Sequence, residues 1–383
     1  MADIVVLGAG LVGANIAVDL SHDHTVTAVD VHQDRLNAVK SRGDIRCLQM
    51  DISDKRALQT LVIRYDLVVG AVPGFMGFET VKAVIQTGIN MVDISFFPEN
   101  ALDLDDLAKK HNVTIAVDCG IAPGMSNLFL GHFSKTMEID DFVCYVGGLP
   151  TIRVKPFEYK APFSPVDVIE EYTRPCRLKE NGKLVIKPAL SDPEFIEFDH
   201  VGTLEAFNTD GLRTLLDTVP VANMREKTLR YVGHRELMLI LRDSGFFSQE
   251  HLNIRGQSMR PLDLTSHLLT TAWAMESEEP DITVMRICLS GTKAEERWAI
   301  RYDLFDRYDP VTHTSSMART TGYTCAAVAN ILVNNEYQRV GVNPPELIGM
   351  DETCFTNIIT YLEQRNIHFV QSVTHGEKET QTY

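Results

Sequence analysis

The sequence predicts an α/β protein: a doubly wound parallel sheet, then an α+β domain built on a mostly antiparallel sheet. Three observations carry this. Short apolar runs alternate with helical patterns through the first 120 residues. A glycine cluster, Gly8-Ala-Gly10-Leu-Val-Gly13, directly follows the first run. After Pro123-Gly124 the beat changes to longer runs separated by turn residues.

The apolar runs Ile4–Leu7, Val26–Val29, Arg46–Met50, Leu67–Ala71, Met91–Ile94 and Thr114–Val117 suit parallel strands buried on both faces. Helical patterns lie between them at 11–21, 33–41, 54–64, 77–87 and 99–111. In such a sheet, ligands bind at the carboxyl ends of the strands. The second part predicts strands over Phe142–Gly147, Thr228–Tyr231, Ile282–Ser290 and Arg297–Asp306, the last two joined by a turn at 291–296. Helices are expected at 126–136, 234–244 and 265–277. Residues 316–334 form a small-residue helix suited to close packing, followed by a helix near 351–365, a short strand His368–Val373 and a frayed polar tail.

Strand, glycines, helix, strand and acid occur in the order of a Rossmann-type dinucleotide site. Gly8 permits a tight turn, Gly10 lets the backbone approach a pyrophosphate, and Gly13 lets the helix lie close to the strands. Leu11 and Val12 open that helix, whose free N–H groups and dipole hold phosphate. Asp30 accepts ribose hydroxyls and repels a 2′-phosphate, which points to NAD, with Arg35 the one nearby cation that argues otherwise.

The other strand ends supply further cofactor candidates: Asp51, Ile52, Ala71, Val72, Pro73, Asp93, Ser95, Gly120, Ile121, Ala122 and Gly124. Val72-Pro73-Gly74 is either an apolar wall for the nicotinamide or a turn before a helix. Asp93 either meets the carboxamide or a cationic amine, or caps a helix.

At 383 residues, with 44% hydrophobic and 23% charged residues, the chain has length for two cores. A net charge of −16 argues against nucleic acid or an anionic membrane as partner. No apolar run approaches the roughly 20 residues of a membrane span. The seven cysteines are scattered, without C-x-x-C or paired histidines, so no metal site is expected and the thiols read as reduced. With strand one entered directly and no leader pattern, the expectation is a cytoplasmic protein.

Several segments resemble the saccharopine dehydrogenase-like superfamily, and within it the bacterial lysine 6-dehydrogenases. They are Asp118-Cys-Gly-Ile-Ala-Pro-Gly124, Tyr145-Val-Gly-Gly-Leu-Pro150, Glu205-Ala-Phe-Asn-Thr-Asp-Gly211, Thr228-Leu-Arg-Tyr-Val-Gly-His-Arg-Glu236, Ser316-Met-Ala-Arg-Thr-Thr-Gly322 and Gly341-Val-Asn-Pro-Pro-Glu346. The resemblance implies NAD-linked oxidation of an amine, with L-lysine first and its 6-semialdehyde as product. It also implies a discontinuous fold: residues 1–124 with 320–383 returning to them, and 125–319 as a substrate and dimerisation domain, with a cleft between. A saccharopine dehydrogenase-type reaction on a secondary amine is the alternative. A non-catalytic NAD-binding sensor or scaffold is another.

Amine oxidation needs a neutral amine, a carbon held near the nicotinamide, a proton shuttle, and a grip on the far end of the substrate. His234 is the acid/base candidate, because imidazole titrates near neutral pH; the competing reading is a helix-start structural histidine. Tyr159 and Lys160 are substrate candidates in a region that the resemblance places on the cleft; Lys160 is a shuttle if desolvated, or an ordinary exposed lysine. Glu205, Asn208, Thr209 and Asp210 either receive an amine or form a turn. Arg230 and Arg319 are carboxylate clamps or members of internal ion pairs. A saccharopine substrate would need more convergent arginines among Arg153, Arg174, Arg213, Arg225, Arg230, Arg260 and Arg319. The small-residue helix and long strands suggest a homodimer.

Overall fold

A computed structural model describes residues 1–161, 165–276, 279–375 and 378–382. The chain divides into two compact units. The first comprises Met1–Glu138, Arg213–Pro220 and Ala318–His368; the second comprises Ile139–Leu212, Val221–Met317 and Phe369–Tyr383.

The first unit contains a seven-stranded sheet. Its strands are β1 (Asp3–Leu7), β2 (Thr25–Asp30), β3 (Arg46–Gln49), β4 (Leu67–Gly70), β5 (Asn90–Asp93), β6 (Thr114–Ala116) and a late strand, Gly341–Asn343. The spatial order is Gly341–Asn343, β6, β5, β4, β1, β2, β3, and every recorded pairing is parallel. Strand order reverses at β1, so the carboxyl ends of β1 and β4 flank the crevice where such sheets bind ligands. β1, β4 and β6 are buried almost throughout, because helices cover both faces.

The seventh strand was not expected: at three residues, Gly-Val-Asn is too short for periodicity to reveal. The predicted helix 77–87 instead starts at Gly74, directly after Pro73. The pattern at 99–111 splits into a 3-10 turn, Ala101–Leu104, and a helix, Asp105–Lys110. Asn100 caps the first of these with its side-chain oxygen on Leu102 N–H, and two aspartates complement the N-terminus of the second.

The small-residue helix Ser316–Val333 lies against Leu11–Leu20. Asn15 Nδ2 donates to Ala318 O at 2.9 Å, and a Cβ on Gly322 would meet Asn15 at 3.0 Å. Its small residues are thus occupied within the chain.

The second unit is built on a ten-stranded, mostly antiparallel sheet with one recorded parallel pair, Asn223–Tyr231 beside Glu138–Pro150. The long hairpin Asp281–Lys293/Glu296–Arg307 turns on only Ala294 and Glu295, both at positive φ. The strands therefore run further than the 291–296 turn allowed. Short strands at Cys176–Glu180, Lys183–Lys187, Glu194–Phe198 and Gly202–Asn208 escaped the sequence reading. The helix expected at 265–277 occupies Pro261–Trp273, with proline at its first position. The tail read as frayed is instead paired: Lys378–Thr382 runs antiparallel to Phe369–His375.

Candidate active site

The glycine cluster forms a cradle at the end of β1. Gly8 has φ of 100°, and a Cβ there would strike Ala71 O at 2.3 Å; one on Gly13 would strike Gly8 O at 2.1 Å. Both glycines are therefore required by the protein's own packing. Gly10 differs, since a Cβ there would meet nothing within 4 Å. It is the N-cap of Leu11–Leu20, where no side chain caps the first N–H groups and no acid stands in the first turn. Open space before an uncapped helix N-terminus fits a pyrophosphate.

Asp30 ends β2 with its carboxylate fixed by two backbone donors. Ala9 N–H, inside the glycine loop, donates to Oδ2 at 2.8 Å, and His32 N–H donates to Oδ1 at 2.8 Å. Arg35 stands 3.6 Å away with its side chain 54% exposed. These residues fit a dinucleotide, and Leu11 is exposed beside them. Val72 is buried and Pro73 exposed at the end of β4, while Ala71 carries the carbonyl against Gly8. At the end of β3, Asp51 accepts from Ser53 N–H, and Ile52 packs on the core, so both have structural partners.

Further along the same edge lies a buried polar cluster. Asp93, at the end of β5, is fully buried; its carboxyl accepts from Ser95 N–H and Ser95 Oγ, both at 2.9 Å. A Cβ on Gly70 would lie 2.1 Å from Asp93 Oδ1, so glycine on β4 makes room for this acid. Desolvation pushes Asp93 up to about 8, with Asp118 raising it further and the Ser95 hydrogen bonds and Arg213 opposing. Asp118, just beyond β6, adopts φ of 55° and pairs with Arg213 Nε at 3.2 Å. Arg213 also donates to Phe97 O at 2.6 Å and lies over the rings of Phe96 and Phe97.

Arg213 was one of seven candidate arginines, and nothing local distinguished it; only the fold brings it to Asp118 from 95 positions away. The loop Asp118–Gly124 closes on itself. A Cβ on Gly124 would overlap Gly120 O at 1.7 Å, and Met125 N–H donates to Gly120 O and Ile121 O. Self-packing accounts for these glycines, with Ile121 buried and Ala122 half-buried.

In the second unit the predicted residues form a different arrangement. His234 Nδ1 lies 2.9 Å from Phe157 O, so it must donate, leaving Nε2 to accept from Tyr172 O–H at 3.0 Å. Burial, with Arg230 nearby, pulls His234 down to about 3. The expectation of an imidazole titrating near neutrality fails for that reason: its surroundings hold it neutral.

Arg230 donates to Tyr172 Oη, Leu229 O, Tyr159 Oη and Glu171 Oε2. It lies over the Tyr159 ring at 4.5 Å, with Trp273 edge-on to Tyr159. Arg230, Tyr159, Tyr172 and Trp273 are buried and Glu171 is half-buried, so Arg230 is an internal ion-pair member rather than an open clamp. Lys160 is likewise engaged, donating to Ala274 O at 2.8 Å and standing 3.7 Å from Glu279. Glu205 accepts from Gly233 N–H and faces Arg235; Thr209 Oγ1 bonds Thr228 Oγ1; Asp210 is held by Arg177. Arg319, in the first unit, donates to Arg365 O beneath Tyr323.

No group of three or more metal-ligating side chains occurs among the described residues, and no described helix is long and apolar enough to cross a membrane.

The parallel sheet, the open cradle at Gly10 and the fixed Asp30 have the form of a dinucleotide-binding unit. Comparison with known families carries this further. The family description "Saccharopine dehydrogenase NADP binding domain" matches residues 4–116, and "Saccharopine dehydrogenase C-terminal domain" matches residues 120–367. The chain belongs to the saccharopine dehydrogenase family.

It is 24% identical over 267 residues to a saccharopine dehydrogenase [NADP(+), L-glutamate-forming] of Pyricularia oryzae, covering 65% of this chain and 58% of that protein. It is 25% identical over 245 residues to an alpha-aminoadipic semialdehyde synthase of Arabidopsis thaliana, covering 59% of this chain and 23% of that one. The match thus spans less than two thirds of either relative. The fold matches the L-Glu-forming saccharopine dehydrogenase of Saccharomyces cerevisiae with a TM-score of 0.80 at 18% identity, covering 98% of this chain and all of that one.

Proposed function

We propose that this protein is an NAD-dependent amine dehydrogenase that oxidises L-lysine at the carbon bearing its 6-amino group, yielding the 6-semialdehyde and ammonia. The observation that carries the reading is the pair of buried acids, Asp93 and Asp118, on adjacent strand ends of the dinucleotide-binding unit. Asp93 holds a proton at neutral pH and Asp118 is paired with Arg213. In such a pair the Asp118 carboxylate is the group that can take a proton from an ammonium, and protonated Asp93 the one that can give a proton to a departing amine. NAD, when bound, would accept the hydride, and water would supply the aldehyde oxygen as the resulting imine is hydrolysed. Gly10 and the N–H groups of Leu11 and Val12 hold the phosphates, and Asp30 receives the ribose.

Asp30 favours NAD, since its charge repels a 2′-phosphate. The family description and the fungal relative's name both carry NADP, and Arg35 is the residue through which a 2′-phosphate would be met.

The same relative gives weight to a second reading, a saccharopine substrate. Against it, five of the seven candidate arginines have internal acids: Arg153 with Glu158, Arg174 with Glu170, Arg213 with Asp118, Arg230 with Glu171 and Arg260 with Asp263. A tricarboxylic substrate needs guanidinium groups that are not already paired.

The test measures reduced-cofactor absorbance with L-lysine and with saccharopine, each with NAD and NADP. L-lysine with NAD is expected to give the highest rate. Turnover of saccharopine but not lysine overturns the substrate, and faster turnover with NADP overturns the cofactor.

A further inference from the structure

A cavity of about 230 Å³ opens in the second unit, between the hairpin Cys176–Glu180/Lys183–Lys187, the loop before Glu194 and the strand Asn223–Tyr231. It is smaller than the roughly 300–1,000 Å³ of drug-sized sites, so a ligand must be small.

The wall is mostly ionic, with Leu178 and Met224 its apolar members, and most of its charges are matched. Lys187 Nζ donates to Glu180 at 2.6 Å and Asp192 at 2.8 Å; Lys227 Nζ donates to Asp192 O at 2.7 Å and pairs with Glu194 at 2.5 Å. Two features of the lining stand apart. Asn208, 1% exposed, gives its Nδ2 to Ser191 Oγ and Asp192 Oδ2, both at 3.0 Å, which fixes the amide's orientation. Its Oδ1 is buried with no hydrogen-bond partner. Arg225 is exposed and forms no ion pair among the described residues.

A buried acceptor without a donor is destabilising, and a group that supplies the N–H recovers that loss. A nearby guanidinium without a counterion calls for a carboxylate.

We propose that this cavity binds a small α-amino acid, its ammonium on Asn208 Oδ1 beside Asp192 and its carboxylate on Arg225. The lining belongs wholly to the second unit, and the inference does not depend on the reaction assigned above. Binding of an amino acid here would couple to the stability of the Leu190–Glu194 loop, which carries two of the ligating neighbours.

The experiment is calorimetric titration of the full chain, without cofactor, by L-lysine and by Nα-acetyl-L-lysine, in the native protein and in Arg225→Ala and Asn208→Leu. Arg225 is exposed, so Arg225→Ala should fold normally, and a thermal melt checks both variants. The expected result is a lysine-binding component weakened at least about tenfold in Arg225→Ala, the loss of one charge-assisted contact, and absent for the acetylated ligand. A lysine isotherm identical in native and Arg225→Ala protein overturns the proposal, whether it reflects the reaction site alone or a cavity holding only water. Equal binding of the acetylated ligand overturns it as well. If lysine proves not to be a substrate, a variant-sensitive component still supports this site, so the two readings fail separately.

Discussion

Two glycines three residues apart in the same motif, Gly10 and Gly13, answer to different forces. Gly10 faces open space, so Gly10→Ala should leave the thermal midpoint nearly unchanged while weakening dinucleotide binding, read by titration. Gly13→Ala would set a Cβ 2.1 Å from Gly8 O and should cost about 1–3 kcal/mol in denaturant unfolding. Asp93 carries a pH signature. Between the ordinary carboxyl range and its raised value of about 8, the folded chain holds a proton that the unfolded chain has lost. Stability therefore falls as pH rises through that window. Asp93→Asn, whose amide can still serve Ser95, should flatten this slope in unfolding curves taken from pH 5 to 9 and shift the alkaline limb of any rate profile. In the second unit, Tyr172→Phe would strand His234 Nε2 and Arg230 Nε in a buried setting, a loss of about 2–4 kcal/mol by urea unfolding.

Helix ends show where local chemistry sets an element. Asp351 accepts from Thr353 N–H and Cys354 N–H and so starts the helix Glu352–Glu363. Asp351→Ala should cost about 1 kcal/mol, read as a shifted urea midpoint. The helix Met125–Ser134 shows the opposite case, where packing sets the element. A Cβ on Gly131 would meet Glu346 O at 2.0 Å, and Asn127 Nδ2 donates to Glu346 Oε2 at 3.0 Å. Glu346 is fully buried, its second oxygen taken by Thr218 Oγ1 at 2.6 Å. Burial raises its carboxyl while these hydrogen bonds oppose the shift.

At the scale of the molecule, the dinucleotide-binding unit is assembled from three separated stretches of chain. Its seventh strand and the helices after Ala318 are late in sequence, yet they cover a sheet begun at residue 3. Asp19 binds both Tyr361 Oη at 2.6 Å and Arg365 Nε at 2.7 Å, tying the first helix to the last. A chain ended at residue 340 should therefore fail to form a cooperative first unit, seen as loss of its sigmoidal unfolding transition and of dinucleotide binding. The long sequence separation of these contacts makes that unit dependent on completion of the whole chain.

The parallel sheet, the glycine cradle and Asp30 were legible in the sequence because each rests on local causes. Apolar runs of fixed length bury both faces, and glycines at set intervals precede a helix. The polar readings at Asp93, His234 and Arg230 were different in kind. Nothing beside Asp93 in the chain reports its burial, and nothing beside His234 shows that Tyr172 and Phe157 hold it neutral. Arg213 became distinct from the other arginines only when folding set it against Asp118. By itself the sequence determined the glycine turn and the helix that follows it, since that cradle is one contiguous stretch of chain. The ionisation and partners of the acids and bases were decided by the tertiary structure, because desolvation and pairing depend on neighbours that the chain supplies from far away.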